Sequence, residues 1–393
     1  MNRNLLLLTL CQGLFLTNNV VFIAINGLVG LSLAPVSWMA TLPITGYVLG
    51  GALSTGLVAR TQARWGRRRS FQLGLVVAVL SAALCAYAAF TRNYWLLVTA
   101  TLLAGFYSAN AALYRFAGPE LVPAAFKERA ISWVLAGGVV GAFIGPNLAS
   151  ATRNLLPVPF AAAYLSLALV ALLSLAALSQ IRFATHVPPQ PGAGSGRPLR
   201  EIVRQPVFIV AVTAAALGYG VMNLLMAATP IAMERCGLPF SDAALVLEWH
   251  VLGMFVPSFF TGHLIRRFGA LPIMALGVVL EAACIGMALT GLELMQFLTA
   301  LLTLGVGWNF LYVGGTTLLT SVYTPQEKNK AQGAMDFCVF STMAVTSFAS
   351  GALVTTRGWA WLNLGSLPVV ALIGVALLWL ASVRRRAASA AAT

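Results

Sequence analysis

Residues Ala59-Arg60-Thr61-Gln62-Ala63-Arg64-Trp65-Gly66-Arg67-Arg68-Arg69 form a short basic segment between two long apolar blocks. The block before this segment covers about 36–59, and the block after it covers about 71–91. A run of about 20 apolar residues is long enough for a helix to cross a lipid bilayer. Because the basic segment is too short to fold by itself, the pattern predicts two membrane-crossing helices joined by a basic turn.

The same alternation of apolar blocks and short polar connections continues along the whole chain. Of the 393 residues, 59% are hydrophobic and 9% are charged, and the mean hydropathy is +0.87. Backbone groups find no water in hydrocarbon, so such spans must be helices. We therefore predict an all-α membrane protein with twelve transmembrane helices. The blocks cover about 4–30, 36–59, 71–91, 93–114, 130–152, 158–181, 206–231, 243–265, 270–290, 294–321, 331–355 and 359–383.

Lysine and arginine residues are distributed unevenly between the two sets of connections. The set that contains residues 59–69 and both termini holds all but four of the 24 basic residues. The other set holds only Arg92, Arg153, Arg235 and Arg357. Basic residues are enriched in the cytoplasmic connections of membrane proteins. We therefore expect both termini in the cytoplasm, and a bacterial inner membrane or its equivalent as the location.

Several other classes of protein are excluded by composition. The net charge of +14 does not indicate nucleic-acid binding, because topology accounts for the basic residues. The five cysteines show no paired spacing, so neither a disulfide framework nor a zinc site is expected. The first apolar block continues to Gly30, which is longer than a signal-peptide core, and we expect it to be retained. The expected partners are lipid and a small solute, with no cofactor, and the expected state is a monomer.

A proline- and glycine-rich connection divides the chain near its middle. Residues 188–198 have the composition of a linker. A similar turn sequence between spans occurs on both sides of this connection, since Arg64-Trp65-Gly66 corresponds to Arg267-Phe268-Gly269. Two six-helix pseudo-repeats are the simplest explanation. The predicted domains are a bundle at 1–182, a cytoplasmic linker at 183–205 and a second bundle at 206–393.

The basic turn resembles a signature of the major facilitator superfamily. Between spans two and three that signature reads Gly-x-Leu-x-Asp-Arg-x-Gly-Arg-Arg, and Arg64, Gly66, Arg67 and Arg68 stand at matching positions. In this chain alanine replaces the first Gly and the Asp. The resemblance covers the whole length and implies the twelve-span fold of that superfamily. It also implies that these residues belong to a gate on the cytoplasmic side.

The second half carries a weaker copy of the same signature. Gly262, Leu264, Arg267 and Gly269 match, whereas Arg266 stands where Asp is expected. Both copies therefore lack the carboxylate that the superfamily uses to hold its cytoplasmic side closed. We expect one of the remaining acidic residues to take that role, namely Glu120, Glu327 or Asp336.

Span five contains a glycine-proline pattern. Gly137-Gly138-Val139-Val140-Gly141-Ala142-Phe143-Ile144-Gly145-Pro146 is similar to the Gly-x-x-x-Gly-Pro signature common in antiporters and exporters of the superfamily. Gly141 and Gly145 leave a groove for close approach of another helix, and Pro146 permits bending. The pattern favours export, and close packing alone is the other interpretation.

Ionisable side chains inside spans are costly and usually face a cavity or the bundle interior. The candidates for proton coupling are Glu248 and His250 in span eight, Asp336 in span eleven and Arg115 in span four. Each has a structural alternative. Glu248 and His250 would bond a neighbouring helix, Asp336 would pair with basic residues of a gate, and Arg115 would extend to the membrane edge. Glu281 in span nine is the weakest candidate.

The resemblance implies that spans one, four, seven and ten line the substrate path. Uncharged polar and aromatic residues gather on these spans, a mix that suits an amphipathic organic solute. For every one of them, packing between helices is the other interpretation. The predicted substrate-binding residues are Asn18, Asn19, Asn26, Tyr107, Asn110, Tyr219, Asn223, Trp308, Asn309 and Tyr312.

No enzyme centre is indicated by the sequence. The three histidines are scattered, and no phosphate-binding Gly-x-x-x-x-Gly-Lys run is present. We predict a secondary transporter that moves a small organic solute by alternating access, with proton-coupled export as the preferred mode. The alternatives are uptake by symport, facilitated diffusion, and a non-transporting receptor with the same fold.

Overall fold

The structure is a computed structural model that describes residues 2–123, 127–183, 196–324 and 327–392. Every long regular element in these ranges is a helix, and two short 3-10 turns occur at Ser37–Met39 and Gly118–Leu121. The helices are α1 Arg3–Leu33, α2 Leu42–Phe90, α3 Tyr94–Ala111, α4 Tyr114–Ala117, α5 Lys127–Thr152, α6 Ala161–Ser179, α7 Leu199–Val203, α8 Pro206–Arg235, α9 Phe240–Phe255, α10 Ser258–Phe268, α11 Ala270–Ala288, α12 Leu294–Leu319, α13 Lys328–Thr356 and α14 Trp359–Ala392.

The membrane-crossing segments agree with the predicted blocks. Eleven segments of the described part are long and apolar enough to cross a bilayer, and each overlaps one predicted block. The remaining block is covered by α5, a helix of 26 residues. The predicted all-α membrane fold is therefore confirmed. Of the predicted linker, residues 184–195 lie outside the described residues, and its last part contains the short helix α7.

A glycine with positive φ marks the basic turn in both halves of the molecule. Gly66 has φ 75 and ψ 172 and interrupts α2, so that this one helical element contains predicted spans two and three. Gly269 has φ 89 and ψ 160 and separates α10 from α11 at the corresponding place. Residues with a Cβ disfavour this backbone region, which explains glycine at both positions. The turn geometry is thus repeated together with the sequence.

Glycines also allow helices of one half to approach closely. Gly105 of α3 packs against Gly50 of α2 in the first half, and Gly305 of α12 packs against Gly253 of α9 in the second half. Between α5 and α1, a Cβ at Gly141 would lie 2.7 Å from the carbonyl oxygen of Gly13. The glycines of span five therefore serve close packing of α5 against α1. Their packing role is sufficient to explain them.

The two ends of the bundle differ in charge. We call the end with the turn at residues 59–69 the basic end. The opposite end, which we call the Arg-poor end, carries Arg92, Arg153, Arg235 and Arg357 in its connections. The first half, α1 to α6, and the second half, α8 to α14, meet along a seam that runs between these ends.

Contacts between the two halves gather at the Arg-poor end. The Thr41 hydroxyl, just before α2, donates to the carbonyl of Ser347 in α13 at 2.6 Å and accepts from the amide of Gly351 at 3.0 Å. Phe160 packs edge-on against Phe240 with ring centroids 5.1 Å apart. These contacts close the seam at this end.

Replacing Gly141 by alanine should destabilise the bundle. The new methyl group would meet backbone atoms of α1, which cannot move aside as a flexible side chain would. Overpacking of this kind costs about 1–3 kcal/mol. Thermal unfolding of the purified protein in detergent should show a lower midpoint for Gly141→Ala.

The matched control is Gly286→Ala in α11, where a Cβ meets open space. This variant should unfold at the wild-type temperature or above it, because alanine favours a helix more than glycine does. Equal midpoints for the two variants would contradict the close packing of α5 on α1.

Candidate functional site

Five side chains from both halves belong to or contact one hydrophobic core that spans the seam, and we call them the central cluster. Asn19 of α1 and Tyr47 of α2 come from the first half. Tyr219 of α8, together with Trp308 and Tyr312 of α12, comes from the second half. Tyr47 and Tyr219 lie within electrostatic range of each other. The cluster therefore includes side chains of both halves.

The second half supplies an aromatic surface to the central cluster. Trp308 and Tyr312 stand one helical turn apart on α12, and their rings stack with centroids 5.1 Å apart and planes at 10°. Tyr219 meets both rings edge-on, at 5.1 Å from Trp308 and 5.5 Å from Tyr312. Tyr219 and Tyr312 are partly exposed. The indole nitrogen of Trp308 is buried and has no hydrogen-bond partner among the described residues.

The first half supplies polar groups. Asn19 is partly exposed, and its amide nitrogen donates to the Tyr47 hydroxyl at 3.0 Å. The ring of Tyr47 is held by Phe22, with centroids 5.0 Å apart. An amide oxygen and a phenol thus face an aromatic surface across the seam, an arrangement that suits a flat solute with polar substituents.

Arg115 and Asp336 are oppositely charged side chains of the two halves. Arg115 belongs to α4 in the first half and Asp336 to α13 in the second. They lie within electrostatic range of each other, and Arg115 is also within range of Tyr219. The Arg115 Nε atom is buried and has no hydrogen-bond partner in the described part of the chain.

The other predicted substrate-binding residues are packed inside the protein. Asn223, for example, donates to the Ser347 hydroxyl at 2.8 Å and so ties α8 to α13. Asn309 donates to the carbonyl of Met254 at 2.7 Å and ties α12 to α9. A substrate role for these buried residues stays a prediction. The buried members are Asn18, Asn26, Tyr107, Asn110, Asn223, Trp308 and Asn309, of which only Trp308 belongs to the central cluster.

The remaining proton-coupling candidates face other helices. Glu248 of α9 accepts a hydrogen bond of 2.8 Å from Asn147 of α5, and thus contacts the first half at the side of the seam. His250 is fully buried, and its Nδ1 lies 2.7 Å from the carbonyl of Leu301 in α12. Glu281 is fully buried between helices of the second half. A proton-coupling role for Glu248 and His250 stays a prediction.

Hydrogen bonds and ring contacts hold the arginines of the signature at the basic end. Arg67 binds both carboxylate oxygens of Glu120, with its shortest contact at 2.7 Å. Its neighbour Arg68 donates to the carbonyl of Ser179 at the end of α6. Arg64 and Arg267 lie over the rings of the aromatic residues that follow them, at 5.9 Å and 5.1 Å. Of the three acidic residues considered, Glu120 is the partner of the first-half turn.

Glu327 has a different partner in the second half. Its carboxylate accepts from the backbone amide and the guanidinium of Arg197, at 2.8 Å each, and from the amide of Thr324 at 3.0 Å. Only 2% of its side chain is exposed. The Arg197 guanidinium and these amides hold the pKa of Glu327 well below its usual range. This pair fastens the end of the linker to the second half.

Sequence reasoning missed three residues that matter for the seam. Tyr47 lies on span two, which was not among the predicted cavity-lining spans. Asn147 is a polar residue inside an apolar span, a signal that was available beside Pro146. Thr41 lies near the start of predicted span two, where a hydroxyl is common and gives no signal.

Comparison with known proteins identifies the family. The model of the Major Facilitator Superfamily matches residues 5–256 and 222–393. The chain belongs to the Major Facilitator Superfamily. Riboflavin transporter RfnT of Brucella anthropi is 42% identical over 379 residues, which cover 96% of this chain and 95% of that protein. The uncharacterized MFS-type transporter YdeG of Bacillus subtilis is 27% identical over 358 residues, or 87% of this chain and 83% of its own.

Solved structures of superfamily members share the fold. The human organic anion transporter MFSD10 (TETRAN) aligns with a TM-score of 0.69 and 14% identity, over 95% of this chain and 99% of its own. The nucleoside transporter NupG aligns with a TM-score of 0.73 and 12% identity, over 96% and 99%. The predicted family is thus confirmed, and the chain is an integral membrane transporter.

Replacing Glu327 by glutamine should destabilise the protein at neutral pH. The lowered pKa of this carboxyl means that its stabilising effect is present above the unfolded value of about 4.3 and is lost only as pH falls towards the folded value. The difference in unfolding temperature between wild type and Glu327→Gln should therefore be constant from about pH 7 to about pH 5 and shrink in stronger acid.

The control for this measurement is Glu234→Gln, which removes an exposed carboxylate at the end of α8. It should leave the unfolding temperature unchanged over the same pH range. A wild-type midpoint for Glu327→Gln at pH 7 would show that the linker contact contributes nothing to stability.

Proposed function

We propose that this transporter carries riboflavin, or a flavin very similar to it, across the membrane through the central cluster by alternating access. The observation that carries the proposal is the stacked pair Trp308 and Tyr312, with Tyr219 edge-on to both rings. The relative RfnT, named a riboflavin transporter, supports the same substrate at 42% identity along nearly its whole length.

The chemistry of the central cluster matches a flavin. Riboflavin combines a flat, conjugated ring system with a chain of hydroxyl groups. Aromatic side chains bind flat rings by stacking, and such pairs contribute about 0.5–1.5 kcal/mol beyond the burial of apolar area. The Trp308 indole N–H has no partner among the described residues, and a rearrangement that exposes it would let it donate to a ring carbonyl. Asn19 and Tyr47 supply partners for hydroxyl groups on the opposite side of the seam.

The contacts at the Arg-poor end support an alternating-access cycle. In this structure Thr41, Phe160 and Phe240 close the seam at that end. With the predicted orientation, the basic end is cytoplasmic, and the closed end faces the other side of the membrane. We propose that residues 1–182 and 206–393 rock as two units about the central cluster, with 183–205 as their linker.

Proton coupling is proposed to run through Asp336, with Arg115 as its charged neighbour. The charge of Arg115 in the other half acts on Asp336, and protonation of Asp336 would remove that attraction. The glycine pattern of span five favours export in the sequence. Close packing of α5 against α1 also explains these glycines. The direction of riboflavin flux under an inward proton gradient therefore decides the transport direction. Symport would carry riboflavin into the vesicle or cell, and antiport would carry it out.

Removing the aromatic surface should weaken flavin binding. For Trp308→Leu we expect affinity for riboflavin to fall about five- to tenfold, as the loss of one stacking contact of about 1–1.4 kcal/mol predicts. The measurement is a titration of riboflavin fluorescence with purified protein. The control is Trp361→Leu in α14, whose side chain is 64% exposed, and this variant should bind as wild type. Wild-type affinity in Trp308→Leu would contradict the proposed site.

Neutralising Asp336 should separate binding from coupling. In vesicles that contain Asp336→Asn protein, we expect riboflavin exchange without a gradient to continue, while an imposed pH gradient no longer drives net flux. In vesicles that contain the wild-type protein, the pH gradient should drive net riboflavin flux. The internal pH of these vesicles should change as riboflavin moves. Gradient-driven flux at the wild-type rate in Asp336→Asn would contradict this assignment, and riboflavin binding without any flux in wild type would indicate a receptor.

A further inference from the structure

A cavity lined by three arginines lies at the basic end of the first half, away from the central cluster. Its volume is about 620 Å³, and its lining residues are Arg3, Asn4, Arg68, Ser179, Gln180 and Arg182. They come from the start of α1, the turn in α2 and the end of α6. Three arginines, Arg3, Arg68 and Arg182, thus line one concave surface.

No carboxylate is found among the described residues that line this cavity. Arg3 donates to the amide oxygen of Gln180 at 2.6 Å, and Arg68 donates to the carbonyl of Ser179, so both contacts are with neutral groups. In residues 1–200 the acidic residues are Glu120 and Glu128. Glu120 is bound by Arg67, and the side chain of Glu128 lies outside the described part. A bound anion would neutralise part of the positive charge of these arginines.

Exposed apolar side chains continue from the cavity towards the membrane interior. Leu6 and Leu10 follow Arg3 by three and seven residues, so they share its face of α1, and both are exposed. Leu173 precedes Gln180 by seven residues on α6 and is also exposed. On α2, Val76 is exposed two turns beyond Arg68. The polar cavity is therefore continuous with an apolar surface of the kind that acyl chains cover.

We infer that this cavity binds the headgroup phosphate of an anionic phospholipid, with its acyl chains along α1, α2 and α6. Basic pockets between transmembrane helices suit such headgroups. The positive-inside bias would place arginines at this end of the molecule. It does not require three of them to line one cavity that has no carboxylate among its lining residues. Arg68 adjoins Arg67, so bound lipid would hold the start of α1 and the end of α6 beside the first-half gate. The inference is independent of the transported solute.

The test measures lipid binding to the full chain by native mass spectrometry in detergent. Phosphatidylglycerol and phosphatidylcholine are titrated separately into wild type and into the double variant Arg3→Gln, Arg182→Gln, which leaves the gate residue Arg68 intact. Wild type should bind phosphatidylglycerol more tightly than phosphatidylcholine. The double variant should bind phosphatidylglycerol more weakly, by about fivefold for each arginine removed. This factor corresponds to the attraction of about 1 kcal/mol between one basic residue and an anionic lipid surface.

Two controls separate the site from net charge and from misfolding. Arg384→Gln, Arg385→Gln removes the same charge from the C-terminal end of α14 and should keep wild-type lipid affinity. Arg3→Lys, Arg182→Lys keeps the charge and should restore the preference for phosphatidylglycerol. Equal affinity of the Gln double variant and wild type, or equal loss in the α14 control, would overturn the inference. Displacement of phosphatidylglycerol by millimolar inorganic phosphate would overturn the lipid assignment and indicate a soluble anion.

Discussion

Polar groups inside hydrocarbon must find partners within the protein, and this constraint governs most of the structure. The backbone meets it by forming helices. Side chains meet it by bonding across helices, as Asn223 does to Ser347 and Asn309 to Met254. An asparagine inside a span therefore has a structural partner available wherever another helix lies close. The polar residues left with free groups, such as the Trp308 indole, are informative because they are exceptions to this rule.

Close helix approach and the basic turns are two consequences of glycine at particular positions. Gly66 and Gly269 adopt the same left-handed conformation after the same Arg-aromatic pair, so the turn is repeated as a unit. Gly141 brings α5 against α1 within one half. A rigid half is what a rocking mechanism needs, because motion must then occur at the seam and not inside the bundle.

The sequence predicted the spans and the basic turns well because both depend on short-range patterns. Length and apolarity decide whether a helix crosses a membrane, and neither requires knowledge of its rotation. The site depends on rotation. Asn19 and Asn26 share one helix face, yet Asn19 contacts Tyr47 at the seam, while Asn26 accepts a hydrogen bond from Tyr164 of α6. Similarly, the partner of Glu248 is set by how α9 turns towards α5, which a single sequence does not encode locally.

The two ends of the seam are held by different kinds of contact, and this difference gives a direction to the cycle. At the basic end, Arg67 with Glu120 lies within the first half, and Arg197 with Glu327 joins the linker to the second half. Neither pair opposes separation of the halves. At the Arg-poor end, Thr41 and Phe160 bond or pack directly on the other half. In the proposed cycle, opening of the Arg-poor end breaks those contacts, and the basic end, where each of these ion pairs lies within one half or its linker, must then supply contacts between the halves.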